Sequence, residues 1–218
     1  MSTNRILVGV VVLLLGATIA PAAWADTFSL AFCDTTLCAN GVTGPFGTVT
    51  TTLNTKTGAI NVSVMTNFGY GIYGGGSPAF GFNVVDPEAG LAITNVSSGF
   101  SVGAADANLP GFGIFEYTLN GPTNPLSALS FTVNRTGGFS SASLLDELSV
   151  GSAGIRNTFF SAHVKILSGV GAGQTGYAGA GIVTPEPVTL VLAVSGIAGA
   201  TGAWVRRRRR DRVGAPTA

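Results

Sequence analysis

Few residues in this chain carry reactive chemistry, and they lie far apart. Cys33 and Cys38 are its two cysteines. In a chain bound for export, as the termini discussed below indicate, such a pair reads as a disulfide closing a loop through Asp34, Thr35, Thr36 and Leu37. Two free thiols or half of a metal site are the alternatives, although zinc wants four ligands and only His163 is at hand elsewhere. A two-residue period puts His163 with Ser161 and Lys165, opposite the apolar face of its strand, where it would be solvent-facing or hydrogen-bonded. As a catalytic base it would need a nucleophile and an orienting acid. Asp86 and Glu88 flank Pro87, and Asp146 adjoins Glu147. Such carboxylates could hold calcium, a hard cation that takes many oxygen ligands, or act as the acid and nucleophile of a glycosidase. No D-x-D-x-D-G loop accompanies them. We therefore expect no catalytic residue and no metal or cofactor, with calcium the one ion these pairs could take. Tyr70, Tyr73, Phe112 and Phe139 lie among glycines, where an exposed ring would stack on a sugar and a buried one would simply pack at a turn. Three matches to the N-glycosylation pattern, at Asn61, Asn95 and Asn134, carry no weight in a chain so rich in Ser and Thr.

The elements that must position these groups alternate with period two. Residues 48–53 and 59–65 flank Asn54-Thr55-Lys56-Thr57-Gly58 and read as a β-hairpin with Ile60, Val62 and Val64 on one face. Alternation recurs at Phe80, Phe82 and Val84; at Leu91 and Ile93; at Phe115, Tyr117 and Leu119; at Leu129, Phe131 and Val133; and at Phe160, Ala162, Val164 and Ile166. At least seven strands separated by Gly, Pro, Asn and Ser clusters predict an all-β fold, an antiparallel β-sandwich of jelly-roll or Ig-like type. The helical hint is residues 143–148, where Ser143 would cap a single turn. Residues 69–76, with five glycines, read as an exposed loop, and residues 169–184 as a Gly-rich linker.

The formal charge of the 218-residue chain is +1, but the charges are segregated. Residues 26–184 hold four basic residues (Lys56, Arg135, Arg156, Lys165) against eight acidic ones, a net of −4. That balance disfavours nucleic acid as a partner, because affinity for it rests on neutralising phosphates. Arg5, the apolar run 6–20, and then Ala23-Trp24-Ala25 form a secretory signal over residues 1–25, with small residues Ala23 and Ala25 placing the cut after Ala25. At the other end residues 188–205 carry no charge. Eighteen residues in a helix span about 27 Å, enough for one C-terminal transmembrane helix. Arg206, Arg207, Arg208, Arg209 and Arg210 follow at once, with Arg212 beyond. They should hold that end in the cytoplasm and leave residues 26–168, the expected ectodomain, outside.

Ahead of the span stands Pro185-Glu186-Pro187. Each proline lacks an N–H and disfavours helix at the residue before it, so the chain stays extended where it meets the bilayer. The order Thr184-Pro185-Glu186-Pro187, apolar span and arginine cluster, covering residues 184–212, resembles the PEP-CTERM sorting signal of exopolysaccharide-producing Gram-negative bacteria. Residues 213–218 form a tail beyond it. That resemblance implies recognition by exosortase, a membrane-embedded cysteine protease, with this chain as substrate. The stretches 113–117, 129–133 and 160–164 more loosely resemble ectodomains often found with such signals, which agrees with a β-rich domain and transfers no activity.

Together these features predict a non-enzymatic exported protein. It would be anchored transiently in the inner membrane, processed by exosortase, and left at the cell surface or in the extracellular matrix with exopolysaccharide in a biofilm. A carbohydrate-binding, lectin-like module is the alternative, and a secreted hydrolase a remote one.

Overall fold

The structure, a computed structural model, describes residues 25–85, 90–151 and 156–182. The expected signal segment with Ala23, the Asp86 and Glu88 pair, the Pro185-Glu186-Pro187 motif, the span and Arg206 to Arg210 lie outside them. Among the described residues no helix is long and apolar enough to cross a membrane.

The described residues are all-β and antiparallel, apart from two short 3₁₀ turns. In chain order the strands are β1 (Ala25–Cys33), β2 (Gly47–Asn54), β3 (Ala59–Thr66), β4 (Tyr70–Ile72), β5 (Pro78–Phe82), β6 (Ala92–Thr94), β7 (Ser101–Val102), β8 (Ala107–Leu109), β9 (Gly113–Phe115), β10 (Tyr117–Asn120), β11 (Ala128–Asn134), β12 (Phe160–Ile166) and β13 (Thr175–Ile182). Ten of them follow one path, β6-β11-β3-β2-β1-β13-β12-β5-β10-β7, with β4 added beside β12 and β8-β9 as a separate hairpin. The path curls until it nearly closes. Phe131 of β11, near one end, lies 5.8 Å from Phe80 and 5.4 Å from Phe82 of β5, near the other. Phe28 of β1 meets Phe160 of β12 at 5.0 Å inside the same curl.

Local sequence explains the best-formed part. The β2-β3 hairpin pairs from Gly47↔Thr66 to Asn54↔Ala59. Asn54 Oδ1 accepts the Lys56 N–H at 3.1 Å, and Gly58 takes φ +68° to reverse the chain, a conformation that costs a residue with a Cβ far more. Val49, Leu53, Ile60, Val62 and Val64 are buried, and Thr50, Thr52, Asn61 and Ser63 face out, as a two-residue period requires.

Several expectations need correction. Residues 169–184 are not a linker: 175–182 form β13, hydrogen-bonded between β1 and β12 in the middle of the path. Ala178 and Ala180 sit in the core there. The domain therefore extends to at least Ile182, beyond residue 168. Residues 69–76 are not simply an exposed loop, because Tyr70–Ile72 pair with β12 and Ile72 is fully buried. Phe115 and Leu119 do not share a strand. A bend at Glu116 separates β9 from β10, sending Phe115 to a second, smaller core and Leu119 to the main one. The 3₁₀ turn Ala142–Leu145 is capped by Ser141, whose Oγ accepts the Ser143 N–H at 3.2 Å, in place of a cap at Ser143.

The second core explains the outer glycines of the sheet. Leu109, Phe112, Phe115 and Tyr177 pack together outside the curl, where the β8-β9 hairpin lies over β13 and β5. A Cβ at Gly179 would come within 2.4 Å of the Phe112 ring, and one at Gly81 within 2.8 Å of the Phe115 ring. Glycine at these two positions lets the hairpin lie flat on the sheet.

Candidate functional site

Of the site residues expected from sequence, only Ala25 and the two cysteines fall among the described residues. Ala25 is the first residue of β1 and lies opposite Thr52 of β2. The Cys33 and Cys38 Cα atoms are 5.6 Å apart, at disulfide distance.

That pair closes a loop with further restraints. The Asp34 N–H donates to the Tyr177 carbonyl at 2.9 Å, and the Asp34 carbonyl accepts the Cys38 N–H at 3.0 Å. Asp34 Oδ1 accepts the Leu37 N–H at 2.7 Å, a local turn bond that Asp readily makes. Leu37 is fully buried and pins the loop to the main core. Thr35 and Thr36 stay exposed. Facing the loop is the turn through Pro110 and Gly111. Gly111 has φ +85°, and a Cβ on it would lie 2.7 Å from the Asp34 Cβ. A cleft of about 490 Å³ lies between them, lined among others by Phe32, Asp34, Thr35, Thr36, Pro110 and Arg156. The Arg156 guanidinium lies 4.1 Å from the Phe32 ring centroid, and the Arg156 N–H donates to the Gly111 carbonyl at 3.3 Å. Asp34 is only 9% exposed and Arg156 is exposed, so the lining includes a carboxylate anchored by the Leu37 N–H and a guanidinium held over a ring.

A different surface covers the outer face of β1, β2, β3, β11 and β6. One row runs Thr52, Asn61, Thr132, Thr94 across four strands, and a second runs Thr27, Thr50, Ser63, Ser130. Neither row contains an ionisable group. Thr132 Oγ1 donates to Asn61 Oδ1 at 3.0 Å and accepts from Asn95 Nδ2 at 3.3 Å, while Ser97 Oγ accepts the Ser130 N–H at 3.1 Å. These bonds orient the polar groups of a shallow groove of about 280 Å³.

His163 does not face solvent. It is 7% exposed, stacked on Tyr177 at 4.6 Å and edge-on to Tyr73 at 5.3 Å, with the Lys165 ammonium 5.2 Å from the Tyr73 ring. The hairpin outside the curl covers the face that a two-sided sheet would have left open. Burial pushes the imidazole below its ordinary pKa, opposed by backbone hydrogen bonds with Gly74 and Tyr73 and by the charge of Asp34. Its Nδ1 is buried without a hydrogen-bond partner. Between the rings of Tyr177 and Tyr73 it serves as an aromatic plate in the second layer of packing.

Asp146 and Glu147 are both half-buried. Among the described residues no three His, Cys, Asp or Glu side chains come together to hold a metal ion. Asp146 is held up at about 7, first by burial and then by the charge of Asp26. Of the glycine-flanked aromatics, Phe112 and Phe139 are buried and pack at turns, while Tyr70 and Tyr73 are half-buried. Among the described residues the fully exposed ring is Phe68, at 99%, in the turn after β3. Its exposure left no mark in the local pattern.

The fold and its surfaces thus define an all-β, antiparallel protein with a nearly closed sheet. The chain matches no family model, no curated protein and no solved structure.

Proposed function

We propose that this is a non-enzymatic, exported bacterial protein of the cell surface or extracellular matrix, sorted through its C-terminus. Delivery begins with the signal over residues 1–25 and the cut after Ala25. One transmembrane helix, held in the inner membrane by Arg206 to Arg210, then anchors it until exosortase acts at Pro185-Glu186-Pro187. The ectodomain is a sandwich of jelly-roll or Ig-like kind made from one continuous sheet, and it is left with exopolysaccharide in a biofilm. The observation that carries this reading is the order of P-E-P, an uncharged 18-residue stretch and an arginine block at the end of the chain. Mass spectrometry of the surface form tests it: the mature protein should begin at Asp26 and lack the arginines. Intact Arg206 to Arg210 on that form would indicate a permanent anchor and refute the sorting.

The second reading, a carbohydrate-binding module, is favoured by the neutral face of β1, β2, β3, β11 and β6. Hydroxyls and amides both donate and accept, as sugar hydroxyls do, and an uncharged, pre-oriented array suits a neutral polymer. Sedimentation of the full chain with the host's exopolysaccharide tests it, with Asn61→Ala/Thr132→Ala expected to weaken retention. No retention of the unaltered chain would refute it.

A further inference from the structure

The cleft beside the disulfide is distinct from the neutral face. Its volume, about 490 Å³, falls in the range of small-molecule sites. Its lining carries one acidic residue, Asp34, and one basic residue, Arg156. An anion entering would meet the carboxylate, and a cation would meet the guanidinium. A neutral polyol satisfies both, because each of its hydroxyls can donate to Asp34 or accept from Arg156. The Phe32 ring holds the guanidinium carbon 4.1 Å from its centroid, which restricts where the N–H donors can lie. Asp34 Oδ1 has one bond, to the Leu37 N–H, and a carboxylate has room for several. Thr35 and Thr36 add hydroxyls at the mouth, and Pro110 with the edge of Phe32 supplies apolar wall for the C–H face of a ring.

We propose that this cleft binds a single neutral glycosyl unit, with Asp34 accepting from adjacent sugar hydroxyls, Arg156 donating to one of them, and the Cys33–Cys38 bridge holding Asp34 in place. The assignment rests on the carbohydrate reading above and gives it a second, independent contact: the groove takes the side of a polymer, the cleft one sugar ring.

Calorimetry on the full chain, purified in a detergent without a sugar headgroup, tests this with neutral methyl hexosides, a uronic acid and glycine as probes. A neutral hexoside should bind. Asp34→Asn and Arg156→Ala should each weaken it about 10- to 100-fold, the loss expected for hydrogen bonds to a charged group. Asp34→Asn keeps an Oδ1 acceptor for Leu37, and Arg156 is exposed, so both variants should fold, as near-UV circular dichroism will report. Reduction of the disulfide should also weaken binding, and Asn61→Ala/Thr132→Ala should not. Affinity unchanged in both Asp34→Asn and Arg156→Ala, or preference for glycine or the uronic acid, overturns the proposal. If the exopolysaccharide is retained through the neutral face and no hexoside binds, the cleft assignment fails and the carbohydrate reading stands. If neither binds, both fail.

Discussion

Asp146 shows how a side chain that looks catalytic in a sequence becomes a stability switch in a fold. Its Oδ1 is buried without a partner, and burial first, then the charge of Asp26, holds its pKa at about 7 against an ordinary 3.8. The folded state then holds a proton that the unfolded state releases. The resulting stabilisation is fully present below about pH 4 and is lost as the pH rises toward 7. Asp146→Asn should flatten this dependence and raise the melting temperature at pH 8, with the gain at most about 1 kcal/mol because the group is partly solvated. Thermal melts at pH 5 and pH 8 check it, and a variant as pH-dependent as the parent would refute it. The sequence exposed the acidic pair at 146 and 147 but not its neighbour. Asp26 lies far off in the chain, and only the packing of the 142–145 turn against β1 brings them together. The same limit applies to Asp34 and Arg156, each unremarkable alone. Cys33 and Cys38 were legible because a disulfide needs just two thiols close in sequence, and this chain has two.

Elements were legible where each strand had one wet face and one dry face. β2, β3 and β11 meet that condition, and their alternation matches their burial. It fails where a second layer covers the outside. β12 is buried at nearly every position, so His163, assigned to a polar face by parity, is enclosed. β13 is hidden for a related reason. Gly176, Tyr177, Ala178, Gly179 and Ala180 are all buried, and its small residues record the close approach of neighbours on both faces, a pattern that resembles flexible linker composition. Gly179→Ala tests that account. The added methyl would press on the Phe112 ring and on Thr158, and overpacking of this kind costs about 1–3 kcal/mol. Urea unfolding should show that loss, whereas Gly173→Ala, at an open position with φ +92°, should show only backbone strain and no change in the Phe112 environment by aromatic NMR. A neutral Gly179→Ala would mean that the hairpin floats over the sheet.

At the scale of the whole molecule, β13 carries the domain beyond residue 168. Ending the chain at residue 168, the boundary that composition suggests, removes a strand hydrogen-bonded on both sides and exposes Ala178's and Ala180's partners in β1 and β12. Such a chain should lack a cooperative unfolding transition, while one ending at 182 should keep it, as measured by circular dichroism on heating. A folded 168-residue form would overturn the placement of β13. The pairing of Phe28 with Ile182 also bears on timing. The first described strand must wait for the last before the middle of the sheet can zip, and closing so long a loop is slow and entropically costly. During synthesis, everything up to about residue 174 can emerge without a finished sheet to lock it. For the exported chain proposed above, which would have to cross a membrane before folding, a sheet-completing strand that follows all the others would keep the chain open until it had crossed.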